Sequence, residues 1–425
     1  MSVLEPERPA AAGTLSIDGS EPLRLLRPGS VAELGDIVRR AAKLGEAIYP
    51  IGGGTQLGFG SPPKRPGSAV DLRGLDAVID YPARDMTVTV QAGMTIARLQ
   101  EILAAENQRL PVDVPLPERA TLGGAIATNT SGPRRYGAGT FRDYVIGVGV
   151  INDRGEEVKA GGRVVKNVAG YDLCKLYVGS LGTLGVITHV TLKLRPRPEE
   201  TALVSLPCPA ERIETLLEVL HRSTTRPISI DLLNAGKATA FNREYGLSIP
   251  ESWALIVGFE DNRSSVAWQI DQLIKEVNAE VAVRGETHTG DAATPLWRAL
   301  IDFPARASTV VFQANVVPTA TAAFCLQAER LLPGVEIQAH AGSGIIKGLV
   351  APGIELHEFQ AALAALLETA PAAQGNIVLR SCPAEWKPSL PVWGRPRPDA
   401  WLMREIKQRL DPQNLFNPGR FVDGI

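Results

Sequence analysis

The chain has 425 residues, a length suited to two or three domains, with 44% hydrophobic and 21% charged residues and a formal net charge of -2. That balance offers no basic face for nucleic acid or an anionic membrane, and no run approaches the ~20 apolar residues of a membrane span. Cys174, Cys208, Cys325 and Cys382 make no C-x-x-C pair, which argues against a zinc ribbon or iron–sulfur cluster carried by this chain alone.

Residues 1–20 read as an N-terminal extension. They have no apolar core of signal-peptide length, so the expected location is the cytoplasm, with any contact at the inner face of a membrane made through a partner. Residues 21–198 alternate strands with glycine-rich turns. Ser30-Val-Ala-Glu33 is a capping box ahead of apolar residues at helical spacing, and Gly45 is a natural terminator. A second helix is expected over Thr95–Glu106. Strands are expected at Ala47–Ile51, Met86–Ala92, Val145–Ile151 and Val186–Leu194.

From 199 to 380 the pattern becomes strand, helix, strand, strand, and approximately repeats. The first unit uses Leu203–Leu206, Ala210–Thr224, Ile228–Leu233 and Leu255–Phe259. The second uses Thr309–Val316, Thr319–Leu332, Val335–Ala339 and Ile345–Val350. Two such β-α-β modules side by side predict one antiparallel sheet with helices on one face. The final segment, 381–425, begins with a Trp- and Pro-rich crossing (Trp386, Trp393, Trp401), either a contact surface or core, and continues into a helix over Ala400–Leu410. The fold class is α+β.

Three glycine stretches carry the chemistry. Pro50-Ile-Gly-Gly-Gly-Thr-Gln56 follows a strand, and consecutive glycines allow backbone N–H groups to converge on an anion; taken alone, the run fits a tight turn before a surface loop better. In Pro115–Gly132, Thr121 is placed to cap a short helix containing Gly123 and Gly124, whose bare face would admit a flat ligand or close packing on a sheet. Gly179-Ser-Leu-Gly-Thr-Leu-Gly-Val-Ile187 spaces glycines three apart before a strand. Neither G-x-x-x-x-G-K-[ST] nor a G-x-G-x-x-G opening a helix is present.

In combination these motifs resemble the FAD domain of the vanillyl-alcohol oxidase / p-cresol methylhydroxylase superfamily. The order is Gly-Gly-Gly-Thr, Thr-Leu-Gly-Gly-Ala-Ile-Ala-Thr-Asn-x-Ser-Gly, Tyr136-Gly, Arg142-Asp, Lys166-Asn-Val-Ala-Gly-Tyr-Asp172 and Gly-Ser-x-Gly-Thr-Leu-Gly-Val-Ile-Thr188. Within that superfamily the chain is similar to FAD-binding subunits of bacterial glycolate oxidase, and Leu410-Asp-Pro-Gln-Asn-Leu-Phe-Asn-Pro-Gly-Arg-Phe421 resembles their flavin-contacting tail. The resemblance implies a two-subdomain FAD-binding domain, a cap of ferredoxin-like units and a C-terminal segment that returns to the flavin. It also implies roles for individual residues. Pro50, Ile51, Gly52, Gly53, Gly54, Thr55 and Gln56 would bind the pyrophosphate. Pro115, Thr121, Leu122, Gly123, Gly124, Thr128, Ser131, Gly132 and Tyr136 would line the flavin and ribityl chain. Gly182, Gly185 and Val186 would meet the adenosine side, while Asn417 and Arg420 would lie by the ring. The Gly52–Gln56 loop has no His, so FAD is expected to be noncovalent. No metal is expected. The implied partners are a catalytic flavoprotein subunit and an iron–sulfur subunit.

The chain departs from the hydroxyacid branch where substrate is held. A His-Ala-Gly-Asp-Gly-Asn-x-His stretch, which supplies metal or proton-transfer ligands there, reads His340-Ala-Gly-Ser-Gly-Ile-Ile-Lys347. The place of a later Glu-His-Gly reads Arg380-Ser-Cys-Pro-Ala-Glu-Trp386. Leu181 stands where the branch has Glu. These departures imply a retained flavin site and a substrate site in a partner. The alternatives are a self-sufficient D-2-hydroxyacid dehydrogenase using Arg380, Lys347 and His340, and a non-redox scaffold.

Overall fold

A computed structural model describes residues 13–21, 23–162, 172–249, 252–370 and 375–425. The predicted Lys166–Asp172 motif therefore lies outside the described residues except for Asp172. The first subdomain is a four-stranded sheet in the order Thr14–Leu15, Leu23–Leu26, Gly67–Asp71, Ala47–Ile51. Its last three strands are parallel. Part of the 1–20 stretch thus pairs with Leu23–Leu26, and Ile17 is buried there.

The helix Val31–Leu44 covers this sheet, and Ser30 and Gly45 cap it as the sequence suggested. The box is not reciprocal, however: the Glu33 carboxylate accepts from the Gly29 N–H rather than from the Ser30 N–H. A second, antiparallel sheet orders Val78–Asp80, Thr87–Gln91, Val186–Lys193, Val145–Ile151 and Glu157–Gly161. Helices Ile96–Ala104 and Leu122–Ala127 bury their apolar side chains against it. A shared cluster of Leu34, Ile48, Val70, Ile151, Val186 and Phe416 joins the two sheets.

The second half of the chain forms one eight-stranded antiparallel sheet. Its order is Glu286–Thr289, Glu200–Pro207, Ala254–Asp261, Ser229–Leu233, Glu336–His340, Ile345–Val350, Val310–Asn315, Asn376–Ser381. Each half follows β-α-β-β-α-β connectivity, and the two halves abut through Asp231–Leu233 and Gln338–His340. The sequence units stopped one helix and one strand short. The closing helices Arg263–Glu280 and Leu356–Thr369 and the strands Glu286–Thr289 and Asn376–Ser381 were missed.

The expectation of helices on one face also fails. Ile213–Arg222, Arg263–Glu280, Thr321–Leu331 and Leu356–Thr369 cover one side, but Ala235–Tyr245 and Thr294–Asp302 pack on the other, over Leu203, Ile256 and Leu349. Ala235–Tyr245 is only weakly amphipathic in sequence, so burial against the sheet rather than periodicity defines it, whereas Thr294–Asp302 has an apolar face of Leu296, Trp297 and Leu300 that the sequence reading missed. They leave the strands around Gln313, Lys347 and Arg380 open toward the FAD-type domain, where the second cavity described below forms.

A buried ion network locks the two halves together. Arg134 bonds Asp113 at 2.7 Å within its own domain and Glu260 at 2.7 Å across the junction, where Arg109 also reaches Glu260 at 2.6 Å. The Arg134 guanidinium lies 3.7 Å from the Trp297 ring. Burial alone would raise the Glu260 pKa, but the two guanidiniums hold it below its usual value.

Candidate functional site

The first cavity opens where the three glycine stretches and the tail meet. Its floor is the 50–56 loop, which leaves the strand Ala47–Ile51 and presses directly on residues 119–121. A Cβ on Gly52 would stand 1.9 Å from Thr121 Oγ1, and one on Gly53 would stand 1.7 Å from the Arg119 carbonyl oxygen. No other residue permits that approach. Gly54 adds a left-handed turn with φ of +72°.

The helix Leu122–Ala127 forms the wall. Thr121 occupies its N-cap position, yet its side chain makes no capping bond; the hydroxyl instead faces Gly52. Gly123 is a packing glycine, with its Cβ position 2.8 Å from that of Ala92, and a Cβ on Gly124 would stand 3.2 Å from Thr121 Oγ1. Both line the cavity, together with Pro115 and Thr128.

The third stretch closes the opposite side. Gly179 and Leu181 donate backbone N–H bonds to Ile126 and Ala127, and Gly182 and Gly185 line the cavity in left-handed conformations. The tail crosses both. A buried Lys407 ammonium bonds Asp411 at 2.6 Å and the carbonyls of Thr183 and Phe416, while Asp411 accepts from the N–H groups of Leu415 and Phe416. This node folds the tail so that the Ile48 N–H donates to the Leu415 carbonyl and the Asn417 N–H donates to the Ile48 carbonyl, at the edge of the first sheet. Asn417 Nδ2 donates to the Leu181 carbonyl at 2.6 Å, and Arg420 Nη2 donates to Leu57 and Phe59 at 2.7 Å.

Arg420 is 4% exposed, and its second amine, Nη1, is buried without a partner while the residue lines the cavity. Burial lowers its pKa from the usual guanidinium value, and Asp18 and Tyr49 offset this in part. A groove of bare backbone with one underused buried cation suits an extended, anionic, flat-ended ligand. These residues fit FAD. The glycine loops would hold its pyrophosphate, and Arg420 would supply positive charge near the ring, which favours reduced flavin.

Five predicted residues fall elsewhere. Leu122 and Val186 are fully buried in the apolar clusters. Gly132 packs on Asp113, and Tyr136 is 39% exposed and packs on Gly342. Ser131 turns into a second cavity. Ile17 and Leu181 also line the first cavity; the adjacent glycine could have signalled Leu181, but nothing in the sequence signals Ile17. Among the described residues no His or Cys lines this cavity. His189 lies on its strand beside Thr188 and Glu157.

The second cavity, of about 350 Å³, adjoins the first through Thr55, Gln56, Pro115, Thr128 and Thr130. Arg135 and Ser131 line it from the FAD-type domain, and Gln313, Asn315, Lys347 and Arg380 line it from the cap sheet. His340 does not line it. Its Nδ1 is 2.7 Å from Asp231, and its Nε2 is buried without a partner. Among the described residues no cluster of His, Cys, Asp and Glu could hold a metal ion. Of the three tryptophans, Trp393 packs between Phe59 and Phe421, Trp386 stacks on Phe359, and Trp401 is 63% exposed.

Comparison with known proteins agrees with this geometry. Residues 22–161 match the FAD binding domain family, and residues 396–421 match the C-terminal domain of FAD linked oxidases. The chain is 28% identical to D-2-hydroxyglutarate dehydrogenase of Xanthomonas citri pv. viticola, over 95% of this chain and 89% of that one. It is 26% identical to glycolate oxidase subunit GlcD of Bacillus subtilis, over 94% and 89%. A shorter match, 39% identical over 31% of this chain and 38% of the other, is to glycolate oxidase subunit GlcE of Escherichia coli. The solved structure of p-cresol methylhydroxylase with substrate bound superposes with a TM-score of 0.71 at 16% identity, over 93% of this chain and 88% of that one. The chain thus carries an FAD binding domain and an FAD-linked oxidase C-terminal segment, shares the fold of p-cresol methylhydroxylase, and takes FAD as its cofactor.

Proposed function

We propose that this chain is an FAD-binding subunit of a glycolate oxidase-type complex. It would hold FAD noncovalently and support electron transfer while glycolate is oxidised to glyoxylate, with a catalytic flavoprotein subunit and an iron–sulfur subunit as partners. The observation that carries this reading is the pairing of a glycine-built groove that fits FAD with a cap in which, among the described residues, no cluster of side chains could hold a metal. The likeness to GlcD and GlcE supports the choice of complex. When bound, FAD supplies a two-electron acceptor. The chain's own residues orient it and place Arg420 at its side; among the described residues no carboxylate or imidazole lines the adjoining cavity to take a hydroxyl proton from a substrate.

The test is affinity purification of the tagged chain from cells, followed by anaerobic addition of glycolate to the isolated chain. The reading expects a second flavoprotein and a cysteine-rich iron–sulfur protein to co-purify, and the isolated chain's flavin to stay oxidised. A chain that purifies alone and is bleached rapidly by glycolate or D-lactate contradicts it. That outcome would establish the second reading, a self-sufficient D-2-hydroxyacid dehydrogenase, which the cationic character of the second cavity favours.

A further inference from the structure

Among the described residues, the cavity between the two domains is lined by three side-chain cations and no anion. Lys347 is 6% exposed and uses one ammonium N–H on the Ser131 carbonyl at 3.3 Å. Arg135 spends Nη1 on Ser131 Oγ at 3.1 Å. Arg380 donates to Gln56 Oε1 at 2.8 Å and lies 3.6 Å from the Phe59 ring, leaving the rest of its fork free. Among the described residues no carboxylate forms an ion pair with any of the three. The acids whose charge reaches these groups are committed elsewhere, Asp113 to Arg134, Asp231 to His340, and Asp143, near Arg135, to Thr140.

Burying three like charges together is costly unless an anion joins them. The cost is visible in the groups themselves: burial and the neighbouring Arg380 push the Lys347 pKa down to about 8, and burial brings Arg380 down to about 10. The neutral groups around them are donors and acceptors of the right kind for an oxygen-rich ligand. Gln313 and Asn315 face the cavity from the cap strand, and Thr130 faces it from the flavin wall. Its volume lies at the small end of the roughly 300–1,000 Å³ of ligand clefts, and its shared wall places an occupant beside the flavin groove.

Two of the cations have a further meaning. Lys347 stands at the second histidine of the departed ligand stretch, and Arg380 opens the segment that replaces Glu-His-Gly. Fixed side-chain charge thus occupies ground where the hydroxyacid branch carries metal or proton-transfer ligands. We propose that this cavity binds the carboxylate of a small 2-hydroxy or 2-oxo acid, with Lys347, Arg380 and Arg135 supplying the positive charge and with no metal ion. Guanidinium forks suit a planar carboxylate, and a compact ammonium completes the charge. The proposal concerns binding and not turnover. It rests on the functional reading above only for the class of acid.

The experiment is calorimetric titration of the FAD-loaded protein with glycolate, glyoxylate and D-lactate in EDTA, under anaerobic conditions, with the flavin spectrum recorded alongside. Inorganic phosphate serves as a competing anion. The expected result is saturable binding of at least one acid, unaffected by EDTA and accompanied by a perturbed flavin spectrum. Lys347→Met should weaken it about ten- to a hundredfold, the range for losing one charged hydrogen bond; Lys347→Arg should largely restore it. Arg135→Gln, on a more exposed helix, gives an independent second reading.

Failure of every acid to bind, binding that requires a divalent cation, tighter binding of phosphate than of any acid, or unchanged affinity in both Lys347→Met and Arg135→Gln would overturn the proposal. A colourless protein that still takes up glycolate would sink the flavin reading while leaving the pocket intact, so the two failures are distinguishable.

Discussion

The two adjoining cavities are built from opposite materials. The flavin cradle is made of backbone, shaped by glycines whose missing side chains let three loops and a tail meet at contact distance. The neighbouring cavity is made of long polar side chains projecting from a sheet and a helix end. A backbone site cannot admit an extra atom, whereas a side-chain site can change charge without changing shape. The same superfamily fold could therefore keep its cofactor while its second cavity altered its chemistry.

The largest effect is expected where the two cavities are held together. Glu260→Ala leaves Arg134 and Arg109 facing a buried gap, and losing one partner of a buried ionic network costs about 3–5 kcal/mol. Chemical denaturation should show that loss, with the second cavity disrupted as the domains separate. The pH dependence of stability follows from the same group. The Glu260 pKa is depressed in the folded protein, so its contribution is present above the ordinary carboxylate pKa and is lost as pH falls through the lower, folded value.

Next comes Gly53→Ala. The added methyl overlaps the Arg119 carbonyl, and overpacking of this kind costs roughly 1–3 kcal/mol. Here the expected readout is loss of flavin absorbance from a protein that still folds. The matched change in the other cavity, Lys347→Met, should leave flavin content and thermal stability nearly unchanged, because it removes a buried charge and preserves shape. Equal loss of flavin in both variants would erase the contrast. The smallest effect is expected from Asn417→Ala, which removes one bond to the Leu181 carbonyl and should weaken FAD retention by about 1 kcal/mol.

The pH dependence of carboxylate uptake sharpens the comparison. Lys347 titrates near pH 8, facing Arg380, Arg135, Asp231, Asp113 and His340. Its ammonium is charged below that value, so affinity for a carboxylate should hold below pH 8 and decline above it. FAD retention should show no such break. A flat profile for the acid, measured by the same titration, would show that Lys347 does not carry the charge.

The same contrast explains what the sequence disclosed. Glycine runs at fixed offsets were readable because each marks a place where backbone meets backbone, and Gly52–Gly54, Gly123–Gly124 and Gly182–Gly185 do converge. The strands Ala47–Ile51 and Val145–Ile151 were legible to the residue from their apolar runs. The helix Ala235–Tyr245 was not. Its burial is set by a sheet assembled from residues more than a hundred positions apart, and no strong local period reports it. Lys347 and Arg380 could be seen only as departures from a pattern, because what makes them a site is their approach from separate strands to Arg135 on the other domain. Gly132 and Tyr136 sit in motif positions yet serve packing, which a motif alone cannot distinguish.

The most direct test of the cradle is the flavin content of the folded chain before and after denaturation. The protein should carry close to one FAD per chain and release all of it into the supernatant when unfolded. A well-folded preparation that is colourless and takes up no FAD when offered it would contradict the account.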